Sequence, residues 1–501
     1  MNRHDLPKWA RNPTHEIDLD PDDWAAFSRL SHQALDDILD YQAGVRGRPV
    51  WRPLPDDTRK FLRQPVSEEP EPLARVYKDF KQHVLPYPTG NIHPRFWSWV
   101  SGTGSPLGML AEMLAAGMNS INLGFDEAAS THVELQVIDW LKSLLGLAEE
   151  SSGLLVSGAS MANLVGLAVA RNTQAGYDLR RFGVGHADHP RPAVYASTET
   201  HSSVRKAIEL LGLGTESLRY VDVDADFRIN LRALERRVAE DRRNGWNPIA
   251  VVANAGTVNT GAIDPLVAIA DLCEMENLWL HVDGAFGAAA RLSPKHADKL
   301  EGLERADSLA FDLHKWMSQP YDIGCVLVRH PDAHKATFSV IPSYIRSLAG
   351  GVASGPINFS EYGVQLSRSF RALKVWMTFR TFGAARFRRL IEQNVSQARY
   401  LSARVEDSNR LELLAPTELN IVNFRYVRRN LGEDFLNELN EKLLLRLQSD
   451  GIAAPSSTVI NNKFSIRVAI VNHRSRRSDF DLLIKSCERL GDELSGEIKA
   501  A

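Results

Sequence analysis

The chain has 501 residues, enough for two or three domains, and its apolar and charged fractions of 44% and 24% are those of an ordinary globular protein. A formal net charge of -3 argues against a nucleic-acid partner recognised by bulk charge. No apolar run approaches the roughly 20 residues of a membrane span, and the N-terminus lacks the apolar core of a signal peptide. The three cysteines are scattered, so we expect a reducing, cytoplasmic location.

The N-terminal part of the chain predicts helices joined by an extended connection. A capping sequence at Asp20 precedes a helical pattern over Trp24–Ala43, whose apolar face needs a partner in the same chain or in a second subunit. Residues 44–70 predict an extended connection, and residues 73–84 a short helix. The segment 86–105 combines proline and glycine with large aromatic side chains, which is typical of a loop.

Helical periodicity over residues 106–117 and 128–147 is followed by a strand, a tight turn and a helix. The turn has the sequence Ser-Gly-Ala-Ser at residues 157–160. Its small residues, the backbone N–H groups of the following helix and the hydroxyls of Ser157 and Ser160 predict an anion site. Because it is neither Gly-x-Gly-x-x-Gly nor a Walker motif, it does not indicate a dinucleotide or a nucleoside triphosphate.

Strands and helices alternate from Pro192 to Asn277, which predicts a mostly parallel sheet covered by helices. Ligands bind at the carboxyl ends of the strands of such a sheet. The pattern therefore predicts that five polar residues meet at one edge: Ser157, His201, Asn254, Asp283 and Lys315.

Lys315 directly follows the apolar strand predicted at residues 308–312. A lysine at the tip of a core strand is partly desolvated, which favours the free amine that attacks a carbonyl. Asp283 ends another apolar strand, and the small residues Gly284 and Ala285 behind it would let a flat ring approach the backbone. A carboxylate at that place could keep a pyridine nitrogen protonated.

Four motifs carry a resemblance to a known family: Ser-Gly-Ala-Ser at 157–160, Thr-His-Ser-Ser at 200–203, His-Val-Asp at 281–283 and His-Lys-Trp at 314–316. In this order and spacing the chain, from about Trp24 into its C-terminal segment, resembles the pyridoxal-phosphate-dependent group II amino-acid decarboxylases. The family includes the aromatic-L-amino-acid, histidine and glutamate decarboxylases.

The resemblance implies an α/β chain of the PLP-dependent transferase fold (fold type I), in which helices cover a mostly parallel sheet. It implies a helical and extended segment at residues 1–100 that packs on a dimer partner, a PLP-binding domain at 101–380 and a small α+β domain at 381–501. We accordingly predict a homodimer with a shared active site. We recognise no site residue in the last of these units.

The resemblance also implies a set of site residues. Lys315 would carry pyridoxal 5'-phosphate as a Schiff base, Asp283 would face the pyridine nitrogen and His201 would stack on the ring. The predicted cofactor contacts are Ala159, Ser160, His201, Asn254, Asp283, Ala285, His314 and Lys315. Asn254 stands where many family members have threonine. Asp312 stands where the animal aromatic decarboxylases have asparagine, and an acid there would repel a phosphate unless it is paired or protonated.

Substrate contacts and a proton donor follow from the same resemblance. The glycine-rich segment 338–362 resembles the family's mobile catalytic loop, and Tyr344 falls on the tyrosine that donates a proton in that loop. Trp99, Ser101 and Gly102 are predicted to line the substrate pocket. Arg368 is predicted either to hold the substrate carboxylate or to brace the site, and an arginine on the solvated side of a helix start is the alternative.

The implied reaction converts an L-amino acid to its amine and CO2. Aromatic residues at 96–99 favour an aromatic substrate. The segment 118–127 departs from the aromatic-specific enzymes, which carry bulky apolar residues there, and so leaves the side-chain preference open. Tyr344 favours the amine over an oxidative route to an aldehyde. An aminotransferase and an inactive scaffold of the same fold are the remaining alternatives, and we expect no metal, because His281, Asp283 and His314 lack a close-spaced ligand motif.

Overall fold

The computed structural model describes residues 18–185, 189–340 and 348–500. A π-helical turn at Phe80–Val84 continues the third helix. Helices α1 to α14 span, in chain order, Trp24–Ala43, Asp56–Phe61, Leu73–Asp79, Pro106–Met118, Ala129–Leu145, Ala159–Gln174, Leu179–Phe182, Ser202–Leu210, Leu231–Arg243, Leu266–Glu276, Pro331–Phe338, Ala372–Glu406, Glu433–Ser449 and Arg477–Ala500. Strands β1 to β12 span Phe96–Trp97, Ser152–Val156, Pro192–Ser197, Leu218–Val221, Asn247–Asn254, Trp279–Asp283, Ser308–Asp312, Gly324–Val328, Leu411–Leu413, Ile421–Tyr426, Ala454–Ile460 and Lys463–Ala469.

The large sheet contains seven strands in the order β2-β8-β7-β6-β5-β3-β4. Strands β4, β3, β5, β6 and β7 are parallel, and β8 runs antiparallel to both β7 and β2. The parallel strands are buried almost throughout because helices cover both faces, which explains their nearly continuous apolar sequences. The predicted α/β fold with a mostly parallel sheet is confirmed.

A second sheet has the order β1-β11-β12-β10-β9, and its core includes apolar residues of α13 and α14. Strand β1 is parallel to β11 although the two lie more than 350 residues apart in the chain. Trp97, the second residue of β1, is buried and its Nε1 donates to Ser475 Oγ at 3.0 Å. The segment before residue 100, predicted as a loop, is therefore tied to the C-terminal sheet.

Helix α1 has the predicted bounds but buries none of its residues. Helix α12 crosses residue 380 and is interrupted at Gly383, whose φ of 68° and ψ of 154° are not helical. The proposed domain boundaries stay predictions. Segment 44–70, predicted as an extended connection, contains the short helix α2. No helix in the described part of the chain has both the length and the apolar character needed to cross a membrane.

Candidate active site

A cavity of about 460 Å³ opens at the carboxyl ends of the parallel strands. Nine of its lining residues were predicted from the sequence: Trp99, Ala159, Ser160, His201, Asn254, Asp283, Ala285, His314 and Lys315. The parallel arrangement of β3, β5, β6 and β7 brings His201, Asn254, Asp283, Ala285, His314 and Lys315 together, because each of them follows or ends one of these strands at the same edge of the sheet. Ala159 and Ser160 follow β2 of the same sheet, whereas Trp99 follows β1 of the other sheet.

Lys315 lies three residues beyond the end of β7, and its Nζ is 3.2 Å from Asp312 Oδ2. Asp312 is buried, and its Oδ1 accepts a hydrogen bond from the backbone N–H of Ala159 at 2.6 Å. Asp312 therefore joins the lysine to the first residue of α6. The sequence left the role of Asp312 open, and the structure shows that it contacts both Lys315 and the start of α6.

The turn between β2 and α6 lies against His314. A Cβ added to Gly158 would stand 3.2 Å from His314 Cε1, so the turn needs a small residue to stay this close. His314 Nδ1 accepts from the N–H of Ile323 at 3.3 Å, and burial lowers the pKa of its imidazole. The N–H of Ala159 is donated to Asp312, and the backbone N–H and hydroxyl of Ser160 together with this imidazole form a donor set that suits a phosphate.

Asp283 and His201 belong to one hydrogen-bonded network. Asp283 Oδ2 accepts from Asn163 Nδ2 at 2.9 Å, and Asp283 Oδ1 accepts from the N–H of Ala285 at 3.1 Å. The same Asn163 Nδ2 donates to Ser203 Oγ at 3.0 Å, and that oxygen lies 2.8 Å from His201 Nδ1. Because His201 Nδ1 also accepts the Ser203 N–H, the neutral imidazole carries its proton on Nε2.

Burial lowers the pKa of His201 and lowers that of His281 to about 4. His281 does not line the cavity, since its Nε2 lies 2.9 Å from Asn163 Oδ1 and its Nδ1 lies 2.8 Å from Ser308 Oγ. Asn163 therefore contacts His281 as well as Asp283 and Ser203. The sequence analysis missed Asn163, although a polar residue on the buried face of a helix of small and apolar residues is a usable signal.

Asn254 lines the cavity but uses its side-chain nitrogen within the protein. Asn254 Nδ2 donates to Ser197 Oγ, Thr200 Oγ1 and Asp264 Oδ2 at 3.2, 3.1 and 2.9 Å. Asp264 is fully buried, and burial raises its pKa to about 6. The arrangement fixes the loop that carries His201 next to the end of β5.

The C-terminal sheet adds cavity residues that the sequence analysis did not find: Ser456, Ser457 and Arg467. Arg467 is 3% exposed and donates to the carbonyl oxygens of Trp99 at 2.7 Å, Asn259 at 3.1 Å and Val258. Burial lowers its pKa to about 10, and it makes no ion pair with a carboxylate in the described ranges. A cation inside the apolar strand β12 was the signal available from the sequence.

Three residues predicted for the substrate pocket do not line the cavity: Ser101, Gly102 and Arg368. Gly102 packs behind the lysine, since a Cβ on it would stand 1.5 Å from the carbonyl oxygen of His314. The guanidinium of Arg368 is buried, pairs with Glu134 and donates to the carbonyl oxygen of Leu155 at 2.7 Å. These bonds agree with the predicted bracing role of Arg368, and its contact with a substrate carboxylate stays a prediction. Tyr344 lies outside the described residues.

A fold of this kind with a partly buried lysine, a buried aspartate and an anion turn around one cavity defines an enzyme that uses a phosphorylated aldehyde cofactor. The model of the pyridoxal-dependent decarboxylase conserved domain matches residues 55–427. An aromatic-L-amino-acid decarboxylase of Bacillus atrophaeus is 37% identical over 470 residues, which cover 93% of this chain and 96% of the relative. A phenylacetaldehyde synthase of Petunia hybrida is 29% identical and covers 90% of this chain and 91% of the relative.

The solved structure of Oryza sativa TDC with PLP and tryptamine superposes with a TM-score of 0.88 at 27% identity, covering 95% of this chain and all of that one. The chain belongs to the pyridoxal-dependent decarboxylase family, as its motifs predicted. It is a PLP-dependent carboxy-lyase that acts on an amino acid. Its cofactor is pyridoxal 5'-phosphate, and the residues fit it: an amine for the aldehyde, a carboxylate for the ring nitrogen and N–H donors for the phosphate.

Proposed function

We propose that the protein decarboxylates an aromatic L-amino acid and releases the corresponding amine. The observation that carries the proposal is the single cavity that contains Lys315, Asp283 and His201 beside the indole of Trp99. Phe286 and Val100 add apolar surface to the same cavity. The names of the Bacillus and rice relatives, which refer to an aromatic amino acid and to tryptamine, agree with an aromatic side chain.

Each residue of the cavity has its own role in the proposed reaction. Pyridoxal phosphate, when bound, supplies the conjugated ring that accepts the electrons left behind by CO2. Lys315 provides the amine that holds the cofactor and is displaced by the substrate, while Asp312 keeps that amine in position. Asp283, oriented by Asn163, keeps the proton on the ring nitrogen, and His201 limits the tilt of the ring. Ala159, Ser160 and His314 hold the phosphate.

Arg467 gives a positively charged wall to a cavity that also has an apolar wall. Its guanidinium and the hydroxyls of Ser456 and Ser457 are donors, so this wall suits an oxygen-bearing part of the substrate. Desolvation in the interior strengthens the interaction of the cation with an anion. An aromatic amino acid suits both walls: its ring contacts the apolar wall, and its carboxylate or a polar ring substituent contacts the donors of the positive wall.

We further propose that the product is the amine because Tyr344 keeps the hydroxyl that donates a proton to Cα. The aldehyde route is the nearest alternative, since relatives named phenylacetaldehyde synthase are among those matched. We expect Tyr344→Phe to slow amine release and to raise aldehyde output, measured by product chromatography with oxygen consumption. An unchanged product ratio would contradict this role.

The proposal is tested by the near-ultraviolet and visible spectrum of the purified protein before and after borohydride, followed by a screen of amino acids for CO2 release. We expect a visible band that borohydride abolishes and that Lys315→Ala lacks. Lys295→Ala, which removes a lysine whose side chain is 71% exposed, should keep the band and the activity. CO2 release from glutamate or histidine but not from aromatic amino acids would overturn the aromatic assignment.

We also propose a homodimer that acts in the cytoplasm. Helices α1 and α4 expose apolar side chains that a second copy would cover: Trp24, Phe27, Leu39, Leu110, Met113, Leu114 and Met118. The three cysteines are buried and free, in keeping with a reducing compartment. Sedimentation equilibrium of the holoenzyme tests the assembly, and a monomer at micromolar concentration would contradict it.

A further inference from the structure

A second cavity, of about 630 Å³, lies on the other side of the loop that carries the catalytic lysine. We call it the kink cavity, because α12 lines it from both sides of the break at Gly383. Thr378 and Phe382 line it before the break, and Arg386, Phe387, Arg389 and Leu390 line it after the break. Its opposite wall is the segment Met317–Gln319. It shares no lining residue with the active-site cavity.

Two buried oxygen atoms of this wall have no hydrogen-bond partner: Ser318 Oγ and Gln319 Oε1. Ser318 is 5% exposed and Gln319 is 1% exposed. The amide of Gln319 is oriented by its other end, since Nε2 donates to the carbonyl oxygen of Met317 at 3.2 Å and to Thr378 Oγ1 at 2.9 Å. A buried polar group without a partner is costly, so this wall is suited to a ligand that brings an N–H or O–H donor.

The rest of the lining suits an organic anion. Arg386 and Arg389 line the cavity, none of the lining residues is acidic, and neither arginine has an ion-pair partner among the described residues. The guanidinium of Arg386 lies 4.9 Å from the centroid of the Phe382 ring. Phe382, Phe387 and Leu390 add apolar surface to the same cavity.

We propose that the kink cavity is a second ligand site for a small organic carboxylate with a ring-sized apolar body and a hydrogen-bond donor. The carboxylate pairs with Arg386 and Arg389, and the donor bonds to Ser318 Oγ and Gln319 Oε1. The backbone links this site to the catalytic loop, because the N–H of Ser318 donates to the carbonyl oxygen of Lys315 at 3.2 Å and that of Gln319 to Leu313 at 3.2 Å.

The probe is 3-(4-hydroxyphenyl)propanoate, which has the ring, the donor and the carboxylate but no amine that could react with the cofactor. Its binding to the holoenzyme is measured by isothermal titration calorimetry. We expect Arg389→Gln to weaken binding at least fivefold and Ser318→Ala at least threefold. Ser318→Ala removes a buried atom without a partner and should therefore not lower the unfolding temperature. Leu390→Trp, which fills the cavity, should weaken binding at least tenfold.

The control is Ser457→Ala, which changes a serine of the active-site cavity and should leave this binding unchanged. Binding that Ser457→Ala weakens and that Ser318→Ala and Arg389→Gln do not change would place the probe in the active site and overturn the proposal. The absence of measurable binding at millimolar probe would overturn it as well. Because both results are independent of turnover, they do not depend on which amino acid the enzyme decarboxylates.

Discussion

A single side chain, Asn163, connects three groups around the cofactor. Its Nδ2 donates to Asp283 and to Ser203, which in turn contacts His201, and its Oδ1 lies beside His281. All three partners are buried or lie at the cavity, where polar groups without partners are costly. Asn163 therefore orients the carboxylate of Asp283, which would face the ring nitrogen of a bound cofactor, and, through Ser203, the imidazole of His201, which would face the ring.

We predict that Asn163→Leu weakens the binding of pyridoxal phosphate at least tenfold, because Asp283 and His201 lose their orientation and His281 loses its acceptor. The measurement is titration of the cofactor-free protein with pyridoxal phosphate, followed by visible absorbance. Asn440→Leu is the matched control: Asn440 is also fully buried and donates to the carbonyl oxygen of Tyr426, but it lies in the C-terminal unit. It should lower stability and leave cofactor affinity unchanged, and an equal loss of affinity in both variants would contradict the orienting role.

The sequence predicted the residues that end parallel strands, since their convergence follows from the topology alone. Asn163 and Arg467 were missed for a different reason. Asn163 reaches the cavity network from a helix that packs under the sheet, and Arg467 reaches the cavity from a separate sheet. Both contacts depend on distances between elements that are far apart in the chain, and no local periodicity encodes such distances.

At the scale of elements, the buried pair Arg368–Glu134 joins α5, β2 and the segment 119–127. Glu134 Oε1 accepts the N–H of Leu155, Arg368 donates to the Leu155 carbonyl oxygen, and Asn122 Nδ2 donates to Glu134 Oε2. The side chains of Arg368 and Glu134 are 1% and 0% exposed. The pair thus holds the strand that leads into the anion turn against the polar segment whose function the sequence left open.

We predict that Arg368→Met destabilises the protein by about 3–5 kcal/mol, because it leaves the carboxylate of Glu134 buried without its cation. The double variant Arg368→Met with Glu134→Gln should recover part of that loss, and the surviving enzyme should keep a near-normal KM. Urea unfolding and steady-state kinetics measure the two quantities. A large rise in KM with unchanged stability would instead support the predicted contact of Arg368 with the substrate carboxylate.

Most helices and strands of the described chain follow from local patterns, as the agreement at α1 and β7 illustrates. The pairing of β1 with β11 does not, because a two-residue strand has no period of its own and forms only where another strand is already in place. The break of α12 at Gly383 was also missed, since an isolated glycine inside a long helical pattern is usually tolerated.

At the scale of the whole molecule, buried imidazoles couple stability to pH. Among the described residues, burial lowers the pKa of four histidines from 6.5 to about 4: His93, His281, His334 and His473. Between these values the unfolded chain binds protons that the folded chain does not, so stability falls as the pH falls from about 6.5 toward 4. Asp264 acts in the opposite direction, since its raised pKa of about 6 means that the folded state holds the extra proton.

We predict that the free energy of unfolding decreases between pH 7 and pH 5 and that His334→Gln reduces this decrease by about 2 kcal/mol in total, because at pH 5 the unfolded chain binds nearly one proton more than the folded chain at this imidazole. His334 does not line the active-site cavity. Its ring nitrogens are 2.9 Å from Ser152 Oγ and 2.8 Å from the carbonyl oxygen of Tyr362. The pH dependence of cofactor binding is therefore the same in the wild type and in His334→Gln, and it cancels when the two are compared. Urea unfolding at pH 7, 6 and 5 with saturating pyridoxal phosphate is the measurement. Equal slopes in the wild type and the variant would mean that His334 takes up its proton in the folded state.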